Sequence, residues 1–103
     1  MVTINVLDHV EHCYSNQDGA IIKSLIIKAL SNNECVTISF RGVDGVTSSF
    51  VNTALIELLD NFDFDLIKAN IKFVNSSKQI NEMIRSRFRF EVNRRKNLVR
   101  VLV

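Results

Sequence analysis

Proline is absent from this chain of 103 residues, and glycine occurs only three times. Punctuation between segments must therefore come from Asn, Asp, Ser and those few glycines. No apolar run approaches the roughly 18 residues needed to span a bilayer. The most apolar helix-like stretch, "AIIKSLIIKAL", is interrupted by Lys23 and Lys28. The N-terminus lacks the basic-then-apolar layout of a signal peptide. These absences lead us to expect a cytoplasmic protein with no membrane partner. In that compartment the two cysteines, Cys13 and Cys35, read as reduced thiols and not as a bridge.

Catalytic constellations are equally scarce. A nucleophilic serine needs a base, and both histidines, His9 and His12, precede the serine-bearing segment at 47–49 without an evident orienting partner. A phosphate loop of the Walker type needs Gly-x-x-x-x-Gly-Lys-Ser/Thr, and no lysine follows Gly45. His9, His12 and Cys13 fall within five residues, but apart from the lone Cys35 no second cluster offers further metal ligands. Asp60, Asp63 and Asp65 lack the glycine and closing glutamate of a calcium loop. They read as a solvated helix end with Phe62 and Phe64 tucked inward. The expectation is a protein that is not an enzyme and carries neither cofactor nor metal.

What the chain does have is apolar content, at 47% against 23% charged residues. That suffices for a core and argues against disorder, and the length fits a single domain over 1–103. The net charge of +2 conceals an asymmetry. Residues 1–84 carry six Lys/Arg against ten Asp/Glu, whereas residues 85–103 carry seven against the single Glu91.

The hydrophobic pattern alternates in type along the chain. "VTINVLDHV" is rich in β-branched residues and predicts a strand near 2–8. Ile21, Ile22, Leu25, Ile26, Ala29 and Leu30 then recur at helical spacing, with Ser15 and Asp18 as a capping signal and Asn32–Asn33 as the stop. "CVTISF", residues 35–40, is a short apolar run suited to a central buried strand. Phe50, Val51, Ala54, Leu55, Leu58 and Leu59 form a second helical stripe, which "DNFDFD" closes. "NIKFVN", residues 70–75, predicts a strand. A third helix follows, with Ser76 and Gln79 as its capping box and Ile80, Ile84 and Phe88 as its buried stripe. The spacing takes that helix to about residue 91, then a turn in "NRRKN" and a terminal strand at 98–103. A C-terminal hairpin closed by the same turn is the alternative. Strand–helix alternation of this kind implies an α/β sandwich with a mostly parallel sheet of four to five strands and about three helices.

In open sheets of this class, sites form where a strand ends and the next helix begins. "GVDGVTSSF", residues 42–50, lies at such a junction. Gly42 and Gly45 permit unusual backbone conformations. Thr47, Ser48 or Ser49 can cap a helix starting at Phe50. A hydroxyl there sits in the positive field of the helix, so a phosphate on it would be tolerated.

The segment "VTISFRGVDGVTSSFVNTALIELL" resembles the central part of STAS-like domains, the small bacterial and phage-associated family related to the anti-sigma-factor antagonists. In the antagonists a buried strand leads to an Asp-Ser-Ser-Gly turn that opens a helix, and the second serine is phosphorylated by a kinase-like partner. The resemblance places Ser49 at that phosphoacceptor position, with Ser48 beside it. Thr47 stands where the antagonists have aspartate, and Phe50 where they have glycine. What the resemblance implies is a regulatory protein–protein interaction module that uses Asp44, Gly45, Val46, Thr47, Ser48, Ser49 and Asn52, with a histidine-kinase-like ATPase of the anti-sigma type as partner. A phage or mobile-element inhibitor that masks a host protein is a further reading of the same fold. The rival from the residues themselves is nucleic-acid or anionic-partner binding through Arg85, Arg87, Arg89, Arg94, Arg95 and Lys96. An exposed terminal strand could also pair with a second copy of the chain, giving a homo-oligomer.

Overall fold

In the computed structural model the chain is described from Met1 to Leu102, with side chains described through Lys96. The elements are β1 (Val2–Asn5), α1 (Asn16–Ser31), β2 (Val36–Ser39), α2 (Ser48–Ala54), α3 (Phe64–Asn70), β3 (Ile71–Val74) and α4 (Lys78–Leu102). Two short 3-10 turns, Val6–Asp8 and Ile56–Asp60, complete the path.

The sheet has the order β1-β2-β3 and both pairings are parallel. Val36 faces Val2 on one side and Ile71 on the other, which makes β2 the central strand. Its burial follows from that position: Val36, Ile38 and Ser39 are buried, and Phe40 just beyond it is too. Such a strand must be apolar on both faces. Helix α1 supplies Ile22, Ile26, Ala29 and Leu30, and α2 supplies Phe50, Val51 and Ala54, to one contiguous core. Full burial of side chains of this size stabilises by about 1.5–3 kcal/mol each. The Ser15 hydroxyl accepts from the Asp18 N–H at 3.1 Å, as its spacing predicts. Asn33, with φ +59°, leaves α1 through a left-handed residue.

Several expectations need correction. The first strand ends at Asn5 and not near residue 8, because the Val6–Asp8 turn redirects the chain so that Val6, Val10 and Cys13 all reach the core. The second stripe is not one helix. After Ala54 the chain tightens into the 3-10 turn, which still buries Ile56 and Leu58. "DNFDFD" does not simply end it, for α3 begins at Phe64 and buries Ile67.

The N-cap of α4 is Ser77 and not Ser76. The Ser77 hydroxyl accepts from the Ile80 N–H at 3.1 Å. With Ile80 the first buried residue of the stripe, the cap falls three residues before it. Most consequentially, α4 is continuous from Lys78 to Leu102. Neither the turn in "NRRKN" nor a strand or hairpin at 98–102 forms, and Val103 lies outside the described residues. Glu91 supports the helix through that segment. It is buried and accepts from Arg94 and from Arg95 Nε, three and four residues on, which are the spacings that stitch successive helical turns. The described sheet therefore has three strands where four to five were expected, and there are four α-helices where three were expected. No described helix is long and apolar enough to cross a membrane.

Candidate functional site: the β2–α2 junction

The junction is built in three steps. Gly42 turns the chain with φ +81°, a conformation in which a side chain would be strained, and Val43 N–H closes the turn onto Phe40 O at 2.9 Å. Gly45 has no comparable need. Its φ is not positive, and an added Cβ would meet nothing within 4 Å. Thr47 then ends the loop as the N-cap of α2, which starts at Ser48, two residues earlier than expected.

Thr47 is fully engaged. Its hydroxyl accepts from the Phe50 N–H at 3.1 Å and donates to Tyr14 O at 2.7 Å, while its own N–H donates to Cys13 O at 3.1 Å. Ser48 and Ser49 are exposed on the first turn, and among the described residues neither hydroxyl has a hydrogen-bond partner. Phe50 points the other way and is 1% exposed. Its position as the first buried residue of α2 explains why a large apolar side chain follows the two serines.

The remaining residues of the predicted surface divide. Asp44 is exposed, whereas Gly45 and Val46 are half-buried, with Val46 packed against the core. Asn52 is also half-buried, and its Oδ1 accepts from Arg87 Nε at 2.9 Å. Asp44, Ser48 and Ser49 thus face solvent, while Thr47 and Asn52 hold structure. The concavity beside the loop, lined by His12, Cys13, Asp44 and Gly45 among others, measures about 60 Å³. Small-molecule sites usually occupy about 300–1,000 Å³.

The basic segment does not form one uniform face. Arg94 is tied to Glu91, and Arg95 bridges Glu91 and Asp60, the latter at 2.7 Å. These contacts hold the Glu91 carboxyl below the usual glutamate range, with the Arg94 hydrogen bond as the largest cause. Arg87 is committed to Asn52 and lies over the exposed Phe90 ring. Arg85, Arg89 and Lys96 have no ion pair among the described residues. Arg100 falls among the residues whose side chains are not described.

His9 and His12 are exposed and Cys13 is buried. Burial pushes the Cys13 thiol up to about 11, with Asp18 adding to the effect. Among the described residues no group of three or more His, Cys, Asp or Glu side chains is placed to hold a metal ion.

Sequence reasoning missed two contributors. His12 stacks on Tyr14 at 5.2 Å beside the α2 start, and Tyr14 reaches Thr47 through its carbonyl, which any residue could supply. Gly19 lies where α1 crosses α2. A Cβ there would stand 2.9 Å from Phe50 O and from Thr53 Cβ. Its only sequence signal is a glycine placed inside an otherwise strong helix.

A small parallel α/β domain with a serine-bearing strand-to-helix turn is the class of protein that this architecture defines. Residues 18–81 match the family model described as a STAS-like domain of unknown function (DUF4325), and the chain belongs to that family. The match runs from α1 into α4 and contains the whole junction. Comparison with curated proteins and with solved structures gives no match.

Proposed function

We propose that this chain is a non-enzymatic regulatory interaction module that docks a partner protein over the start of α2, with Ser49, and Ser48 beside it, as the hydroxyls whose phosphorylation controls docking. One observation carries the reading. The capping role is discharged by Thr47, so both serines are exposed and unpaired among the described residues. Neither serine hydroxyl is needed to hold the turn. The small concavity there is consistent with a docking face and not a substrate pocket.

A phosphate at Ser49 would add nearly two negative charges and bulk to the centre of this face. A histidine-kinase-like ATPase is the partner type that the family resemblance suggests. The test is affinity capture with the wild-type chain, Ser49→Asp and Ser49→Ala, followed by mass spectrometry of partners and of phosphoserine. The expected result is a partner held by wild type and Ser49→Ala and lost with Ser49→Asp, while circular dichroism stays unchanged. Equal retention by all three would reject the switch. A partner retained after charge reversal at Asp44 and bulky replacement of Ser48 would reject the docking face.

A further inference from the structure

On a different part of the molecule, a groove of about 500 Å³ opens between α3, β3 and α4. Its surface is apolar, with Phe64 and Ile67 from α3, Ile71 and Phe73 from β3, and Phe88 and Val92 from α4. Lys68, Arg85 and Arg89 also line it, and among the described residues no acidic side chain does. Asp65 and Glu82 each lie three residues from one of these cations, yet none of the three cations is in an ion pair among the described residues. Lys68 instead rests over the Phe64 ring, 5.9 Å from its centroid.

Further cations, Arg95 and Lys96, stand in the groove's continuation. A second trough continues the groove and shares Phe64 and Val92 with it. Residues 59–64 there face residues 92–96, whereas in the first groove Lys68, Ile71 and Phe73 accompany Arg85 and Arg89. Low-numbered residues of the 59–73 segment thus meet high-numbered residues of α4. Arg85 and Arg89 stand one turn apart on α4. The cavity has the size of a small-molecule site, with an apolar body and a few charged groups that would fix orientation.

We propose that this groove binds a single-chain anionic amphiphile taken up as a monomer, with its hydrocarbon tail along Phe64, Phe88 and Val92 and its anionic head at Lys68, Arg85 and Arg89. The charge arrangement selects this occupant. An anionic head is complementary to the unpaired cations Lys68, Arg85 and Arg89, and the tail covers apolar surface that otherwise faces water. Each buried methylene contributes roughly 0.8 kcal/mol, so chain length sets affinity. The site does not depend on the α2 docking face.

The experiment is calorimetric titration of the full chain with sodium dodecanoate below its micelle concentration, with amide NMR shifts to locate binding. Hexanoate and dodecyltrimethylammonium serve as short-tail and reversed-head probes. The expected result is saturable dodecanoate binding, at least tenfold weaker with hexanoate and lost with the cationic head. Shifts should be confined to α3, β3 and α4. The double variant Arg85→Glu/Arg89→Glu should weaken dodecanoate at least tenfold, while Lys78→Glu, outside the groove, leaves it unchanged. Val92→Trp, which fills the apolar groove while keeping Lys68, Arg85 and Arg89 in the chain, provides a second loss. Absence of saturable binding, indifference to head charge, or shifts elsewhere in the chain would overturn the proposal. So would binding to anionic vesicles or to a glutamate-rich amphipathic peptide with none to monomeric dodecanoate.

Discussion

Thr47 and Tyr14 are joined by a 2.7 Å hydrogen bond from the threonine hydroxyl to the tyrosine carbonyl, and the same hydroxyl caps α2. One oxygen therefore anchors the loop before α1 to the start of the next helix. Replacing Thr47 by valine keeps the shape and removes both bonds. The expected loss is about 1–2 kcal/mol, the usual cost of a lost cap. Thr47→Ser should recover most of it, and Ser49→Ala should change stability by less than about 0.5 kcal/mol. Urea denaturation of the three variants separates the structural hydroxyl from the exposed one.

Gly19→Ala is expected to destabilise, although alanine is the better helix former by about 1 kcal/mol. The new methyl would press on the Phe50 carbonyl and Thr53, both at 2.9 Å, and on the Ala54 nitrogen at 3.1 Å. Backbone atoms cannot step aside as a flexible side chain can. A net loss of about 1–3 kcal/mol is expected from overpacking. Thermal unfolding with an unaltered or raised midpoint would show that the two helices can separate slightly at no cost.

Acid should act through Glu91. Its folded-state carboxyl lies below the ordinary value of 4.5, chiefly because of the Arg94 hydrogen bond. The unfolded chain therefore binds this proton more readily. The stabilisation is complete above the ordinary value and is lost as pH falls through the lower folded one. Glu91→Gln should be the less stable protein at pH 7, and the gap should narrow progressively below about pH 4.5. Denaturant midpoints across that range check the sign; a gap that widens in acid would contradict it.

The two thiols should differ sharply. Cys13 is 1% exposed and its thiol is pushed up to about 11, while Cys35 is exposed and hydrogen-bonded only weakly to Asn70. A thiol reagent at pH 8 should modify one group per folded chain, at Cys35, and both only after denaturation. Peptide mapping identifies the site, since the thiolate is the reactive form.

What the sequence revealed depended on the range of the interaction that decided each feature. Ser15, Asn33, the β2 core and the Ile80–Ile84–Phe88 stripe rest on local spacing, and the structure places each as that spacing demands. The junction at Thr47 was legible for the same reason. The end of α4 was not. "LVRVLV" has strand composition, but composition does not report that Glu91 stitches the helix to Arg94 and Arg95 while Arg95 reaches Asp60. The short α3 was hidden because it buries only Ile67 fully. Gly19 and Tyr14 matter through elements distant in the chain, and periodicity within one segment carries no record of such neighbours.

The all-parallel pairing has a kinetic corollary. Val2 must find Val36, and Val36 must find Ile71, so no two strands can zip from a hairpin. Every rung of the sheet closes a loop of more than thirty residues, and that entropy is lost before any contact compensates for it. During synthesis the sheet cannot be completed until Val74 has left the ribosome, so the central apolar strand waits with one flank bare. Refolding should accordingly be slower than in a helical bundle of equal length, and the nascent chain most prone to aggregate while β2 awaits β3.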